Sequence, residues 1–336
     1  MMKRGFIPLL LVALILGGGL FWDYQRFLDA PITTHTEQTF RVPQGASLRA
    51  VGDRLAERGF IDRPLYWEIL GRRSGQARSL RAGEYRIEPG MTPRQLLALF
   101  VSGRTLQYRL VIPEGWTFRQ MMDAIAAHPH LKSTLEPEDY AGVMDRLGRP
   151  GEHPEGWFFP DTYLFPDGTT DLEFLRRAHR HMETELEAAW EEREEDLPLE
   201  TPYEALILAS IVQKEAGQGE HDRVAAVFIE RLRRGMRLQS DPTIIYGMER
   251  FDGDIRRQDL RRDTPYNTYT REGLPPTPIA LPGAASLQAV THPADSDALF
   301  FVGRGDGTHH FSKTYREHRE AVIRFQLDGD ASRYGP

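Results

Sequence analysis

The first apolar stretch, 6-FIPLLLVALILGGGLFW-22, contains no charged residue. At about 1.5 Å per residue, a helix of this run is about 26 Å long, the short end of what spans a hydrocarbon core about 30 Å thick, with Phe21 and Trp22 at the interface. Lys3 and Arg4 precede it and hold the N-terminus in the cytoplasm, so everything after Asp23 falls on the other side. A cleaved signal peptide needs a small-x-small site. The best place for one ends at Ala30, and Pro31 follows it directly. The pattern predicts an uncleaved, single-pass anchor over residues 1–22 in a bacterial inner membrane, then a connector over 23–38.

A second pattern recurs in 40-FRVPQGASLRAVGDRLAERG-59, 85-YRIEPGMTPRQLLALFVSGR-104 and 109-RLVIPEGWTFRQMMDAIAAHP-129. Each segment opens with a short alternating strand and reaches a turn in which Gly45, Gly90 and Gly115 align. Ser47, Thr92 and Thr117 align next, and a hydroxyl there is a good N-cap for the helix that follows. Leu48, Val51 and Leu55, then Leu96, Leu97 and Phe100, then Met121, Met122 and Ile125 have helical spacing. Strand–turn–helix units of this size resemble the LysM module, a small carbohydrate-binding βααβ fold. The stretch Phe40–Ile87 would make one such unit within a LysM-like domain at 39–107. That unit either binds glycan or serves as a small α/β spacer, since no pair of aromatic residues for stacking on sugar stands out.

The third pattern is the run Leu206–Val212, followed at once by Gln213, Lys214 and Glu215. At about 100° per residue, Glu204, Leu208, Ile211, Val212 and Glu215 fall within an arc of about 100°, with Glu215 near its middle, so Glu215 sits at the end of a face that should be buried. Burial disfavours an ionised carboxyl and raises its pKa. An acid kept protonated near neutral pH is what opening a glycosidic bond requires, because the leaving oxygen must gain a proton. A plainer alternative is a helix-end glutamate that reaches solvent or pairs with Arg223 or Arg231.

Composition narrows the field. A net charge of -7 with no basic stripe gives no reason to expect nucleic-acid binding. The chain has no cysteine, so disulfides and thiolate chemistry are excluded. His179/His181 and His309/His310 lack metal-ligand spacing, and no metal or other cofactor is expected. Ser210 lacks the G-x-S-x-G setting of a serine hydrolase. The acidic run 183-ETELEAAWEEREEDLPLE-200 reads as a solvated helix ending before Pro198. Downstream of Glu215, the stretches 235–248, 264–283 and 291–294 are rich in polar and aromatic residues with prolines to fix their course. Such loops suit a sugar cleft.

The segments 155-EGWFFPDTYLF-165, 208-LASIVQKEAG-217, 237-RLQSDPTIIYG-247, 266-YNTYTREGLPP-276 and 292-HPA-294 resemble, in order, the motifs of the YceG-like endolytic murein transglycosylases. In that family the catalytic-helix motif usually reads Ser-Ile-Val-Glu-Lys-Glu. Here Gln213 replaces the first glutamate, which leaves Glu215 as the acid of the motif. The resemblance implies an α+β chain: the anchor, the LysM-like subdomain, a mixed α/β catalytic domain over 108–326 with the acid on a helix, and a tail over 327–336. It implies a periplasmic enzyme that cuts nascent peptidoglycan strands without water, leaving 1,6-anhydromuramic acid ends, in partnership with peptidoglycan synthases. Glu215 is expected as acid and then base. Gln239, Ser240, Asp241, Thr243, Tyr246, Asn267, Thr268 and Tyr269 are expected around the substrate, with Glu155 facing the cleft, whereas Trp157, Phe158 and Tyr163 are expected in the core. Two alternatives stay open: a muramidase using Glu215 and Asp241 together, and a membrane-anchored adaptor without catalysis.

Overall fold

The structure is a computed structural model and describes residues 6–34, 36–136 and 139–334. The chain forms two compact units. One comprises the residues up to Tyr108 together with Leu164–Thr169, and the other Arg109–Tyr163 with the residues from Thr170 onward.

In the first unit, helix α1 (Phe6–Asp29) leads to strand β1 (Gln38–Val42), helices α2 (Leu48–Glu57) and α3 (Pro64–Arg73), strand β2 (Gly83–Ile87) and helix α4 (Pro93–Ser102). The hydroxyl of Ser47 accepts the Ala50 N–H and starts α2, and Thr92 with Gln95 closes a capping box at the head of α4. Strands β1 and β2 pair antiparallel, with Phe40 opposite Tyr85. The alternation that buries Phe40 and Val42 also buries Tyr85 and Ile87. These residues meet Trp67 and Phe100, and the Phe40 and Phe100 rings stack 5.5 Å apart.

The segment read as a connector is helical as far as Asp29. Tyr24, Phe27 and Leu28 lie on one face of α1 and join this core with Ile32, while Arg63 and Tyr66 hold Asp23 and Arg94 holds Asp29. Among the described residues no helix is long and apolar enough to cross a membrane. The last two turns of α1 carry Asp23, Arg26 and Asp29, and Leu14, Ile15, Leu16, Leu20, Phe21 and Trp22 before them are exposed. Residues 1–5, with Lys3 and Arg4, lie outside the described residues.

Strands β3 (Gln107–Val111), β5 (Thr162–Pro166) and β6 (Thr169–Thr170) carry the chain across the boundaries between the units. The second unit otherwise contains α5 (Phe118–Ala127), β4 (Leu131–Lys132), α6 (Tyr140–Leu147), α7 (Asp171–Glu191), α8 (Pro202–Glu215), α9 (His221–Arg233), α10 (Asp241–Tyr246), α11 (Arg257–Arg261), α12 (Ala284–Thr291), the hairpin β7 (Phe300–Gly303)–β8 (His309–Ser312) and α13 (Tyr315–Gln326). A 3₁₀ turn at Ala331–Arg333 follows in the tail. Helix α8 starts at Thr201, whose hydroxyl accepts the Glu204 N–H, with Pro202 in its first turn. It packs against α7, α9, α10 and α12. Every residue from Ala205 to Val212 is buried, so the one-sided face expected for this helix is replaced by burial all round. A run whose one polar side chain, Ser210, has its hydroxyl hydrogen-bonded to the Ile207 carbonyl and the Ile279 N–H permits that, and it makes α8 the central rod of the unit.

Helices α2 and α3 cross at glycines. A Cβ on Gly52 would stand 2.7 Å from Cδ1 of Trp67, a ring that is fully buried and donates its N–H to the Leu48 carbonyl. Alanine favours a helix over glycine by about 1 kcal/mol, yet Gly52→Ala should destabilise the protein by about 1–3 kcal/mol through overpacking. Denaturant unfolding measures this, and a variant as stable as the parent would mean that the Trp67 contact relaxes.

Candidate active site

Glu215 is the last residue of α8. Beyond it Ala216 is extended, and Gly217 passes so near the β7–β8 turn that a Cβ would meet the Gly307 carbonyl at 2.3 Å. The backbone therefore leaves the helix against another chain segment, which fixes where the carboxyl points. Ser240 donates its hydroxyl to Glu215 Oε1 at 2.6 Å. Ser240 stands at the N-cap position of α10 but makes no capping hydrogen bond, because its side chain is turned to the acid. A short polar chain holds it there. Ser240 N–H donates to Thr268 Oγ1 at 3.0 Å, Thr243 Oγ1 donates to the Ser240 carbonyl at 2.7 Å, and the Thr243 and Thr268 hydroxyls lie 2.9 Å apart. All three residues are buried.

Desolvation pushes the Glu215 carboxyl above the usual carboxylate range. The Ser240 hydrogen bond pulls it down, neighbouring Asp241 pushes it up, and nearby His309 and Arg231 pull it down. Its side chain still reaches the surface in part, and Oε2 has no hydrogen-bond partner among the described residues. Arg231 and Arg223 do not pair with it. Arg231 is buried and donates to the carbonyls of Leu299 and Leu238, while Arg223 lies over Phe311. His309 holds Glu220 through Nδ1 at 2.9 Å, and its own N–H also donates to Glu220. His309 and Glu220 are 89 residues apart in the chain, a pairing that no local pattern announces.

The other expected residues divide by what they face. Asp241 is exposed and accepts the Tyr269 hydroxyl at 2.7 Å. Gln239 is exposed with φ 51°, one of few non-glycine residues in the left-handed region, and such strain gathers at working sites. Asn267 is buried, and its Nδ2 faces the carbonyls of Asp259, Leu260 and Arg262 at the end of α11. Its Oδ1 accepts the Tyr269 N–H at 2.9 Å. The amide thus shapes the loop that presents Thr268 and Tyr269.

Glu155 is turned inward and is only 3% exposed. Its Oε1 accepts the Phe118 N–H at 2.8 Å at the head of α5, and its Oε2 accepts the Tyr246 hydroxyl at 3.0 Å. Trp157, Phe158 and Tyr163 are buried. Gln213 ties three elements together: Oε1 accepts the Gly283 N–H at 2.9 Å and the Ser286 hydroxyl at 2.7 Å, and Nε2 donates to Glu114 at 3.2 Å. Among the described residues no group of three or more His, Asp and Glu could hold a metal ion.

A carboxyl raised by burial, held on one oxygen and open on the other, defines a candidate general acid–base site. The YceG-like family model matches residues 40–324, and the chain belongs to that family. It is 28% identical over 333 residues to an endolytic murein transglycosylase of Bacillus subtilis, an alignment covering 93% of this chain and 91% of the relative. It is 26% identical to an endolytic murein transglycosylase of Streptococcus pneumoniae, covering 95% of this chain and 65% of that protein. A crystal structure of a yceG-like protein of Listeria monocytogenes is also similar. It is 28% identical with a TM-score of 0.53, and the match covers 85% of this chain and 99% of that one.

Burial pushes the Glu155 carboxyl from its ordinary 4.5 up to about 7, against the hydrogen bonds from Phe118 and Tyr246. Between these values the folded protein holds a proton that the unfolded chain has lost. Stability therefore falls as pH rises through that window, by about 3 kcal/mol in all. Glu155→Gln removes the titration, so thermal unfolding of the variant, compared with the parent, should improve steadily from pH 4.5 to 7. A difference in Tm that does not vary with pH would contradict this account.

Proposed function

We propose that the protein is an endolytic lytic transglycosylase of peptidoglycan, with Glu215 as its acid and then its base. The observation that carries this reading is the asymmetry of the Glu215 carboxyl. Oε1 is taken by the Ser240 hydroxyl and Oε2 is open, so the proton rides on the oxygen that can meet substrate. Glu215 gives that proton to the N-acetylglucosamine oxygen as the C1–O bond breaks. The muramic acid 6-hydroxyl then bonds to C1 and returns its proton to the carboxylate. Charge and atoms balance without water, and one residue serves both steps because the nucleophile belongs to the substrate. Gln239, Asp241 and Tyr269, at the accessible edge, are placed to meet the sugar, while Thr243, Thr268 and Asn267 set their positions.

The exposed apolar side chains of α1 support an anchor that keeps the site near newly made strands at the inner membrane. The β–α–α–β unit of residues 38–87 is the part that a LysM-like module would occupy, as a glycan contact or as a spacer. Peptidoglycan synthases are the partners this role calls for. A two-carboxylate muramidase remains a second reading because Asp241 lies close enough to raise the Glu215 pKa.

Purified strands digested by the protein should yield products ending in 1,6-anhydromuramic acid by mass spectrometry, and Glu215→Gln should lower the rate by a factor of about 10²–10⁴ or more. Products heavier by one water would instead support the muramidase, and binding without cleavage the adaptor. The pH profile gives a separate check. The protonated acid is the active form, so kcat/KM falls as pH rises through the Glu215 pKa. Asp241→Asn removes a repelling charge and should move that limb to lower pH. Ser240→Ala removes a bond that favours the carboxylate and should move it to higher pH. Limbs that stay in place would remove Glu215 from the role of acid.

A further inference from the structure

An open-sided cavity of about 900 Å³ lies in the second unit, and Glu215 is not among its lining residues. Its floor is aromatic: the Trp157 and Tyr203 rings stack 5.7 Å apart at 12°, and Trp190 lines it as well. Along α7, Glu183, Leu186, Glu187, Trp190 and Glu191 fall on one helical face, and that face is the cavity wall. Glu187 and Glu191 are exposed, as expected of a solvated helix face, although the helix ends at Glu191 rather than just before Pro198, and that face borders the cavity.

The charges there do not cancel. Arg149 is bound to Glu183 at 2.6 Å and to Glu152 at 3.1 Å, and Arg193 lies over the Trp190 ring while donating to the Trp190 carbonyl. Glu187 and Glu191 have no ion pair among the described residues. They sit at the carboxyl end of α7, where the helix dipole is itself negative and no basic side chain occupies the last turn. Pro276 and Thr277 form a further part of the lining, and Thr277 shares a 2.9 Å hydrogen bond with Tyr266, in the same loop as Thr268 and Tyr269.

From the stacked aromatic wall and two unpaired carboxylates of one concave site, we propose that this cavity binds an amine-bearing peptide: the stem peptide of the glycan strand, with its diamino-acid ammonium between Glu187 and Glu191. The carboxylates take the cation, and the Trp157 and Tyr203 rings take its aliphatic stem. The proposal rests on the transglycosylase reading above for its choice of peptide. The cavity would act as a second grip on the strand, outside the catalytic cleft.

The test is direct binding to the full-length protein in detergent, read by tryptophan fluorescence and calorimetry. The probes are the tripeptide L-alanyl-γ-D-glutamyl-L-lysine and its Nε-acetyl form. The free amine should bind about tenfold more tightly than the acetylated form, the scale of one hydrogen bond to a charged group. That preference should vanish in a Glu187→Gln/Glu191→Gln variant, whose two exchanges remove charge with little change in shape. Equal binding of the two probes, a preference that survives in the variant, or no binding would overturn the assignment. Strand cleavage without tripeptide binding overturns it and leaves Glu215 in place. Amine-selective binding by a protein that cleaves nothing upholds the cavity and removes the catalytic reading.

Discussion

The hydrogen bond from Ser240 to Glu215 is the contact on which the site depends, and it can form only because both ends are held from behind. Glu215 is held by α8, which is buried on every side through Val212 and therefore cannot rotate to bring its last residue elsewhere. Ser240 is held by the Thr243–Thr268 pair and by the loop that Asn267 fastens to the end of α11. A hydroxyl that would ordinarily cap α10 is spent on the acid, so a little helix stability is given up for a defined proton position.

Two raised acids in one unit show how environment separates their roles. Glu155 is bound on both oxygens, by an N–H at the head of α5 and by a tyrosine hydroxyl, and it has no open face. Glu215 is bound on one oxygen only, beside an exposed aspartate. Two glutamates shifted in the same direction therefore do different things: the first joins α5 to α10, and the second is available to a substrate.

Local pattern made much of this legible. An acid at the end of an apolar run, hydroxyl residues at cap positions and strands of alternating burial follow from periodicity alone, and the structure has helix and strand at those places. What periodicity could not supply was direction over long range. Leu206–Val212 looks one-sided only if its neighbours on the other flank, α7 and α12, are unknown. The Asn267 amide could as well have faced a sugar as a helix end. Glu155 lies 91 residues from Tyr246 in sequence, and His309 lies 89 from Glu220, so neither partnership has a spacing to reveal it. The acidic end of α7 is solvated, as its composition says, but that it borders a cavity is a property of packing.

Gln213 decides which neighbours α8 is tied to. Its amide nitrogen faces Glu114, and its amide oxygen faces two donors at the head of α12. A glutamate in that place would keep the two donors satisfied but set a second carboxylate against Glu114, which is exposed and free to turn into solvent. Such a change would keep the tie between α8 and the head of α12 and release the one to position 114, 99 residues away in the chain.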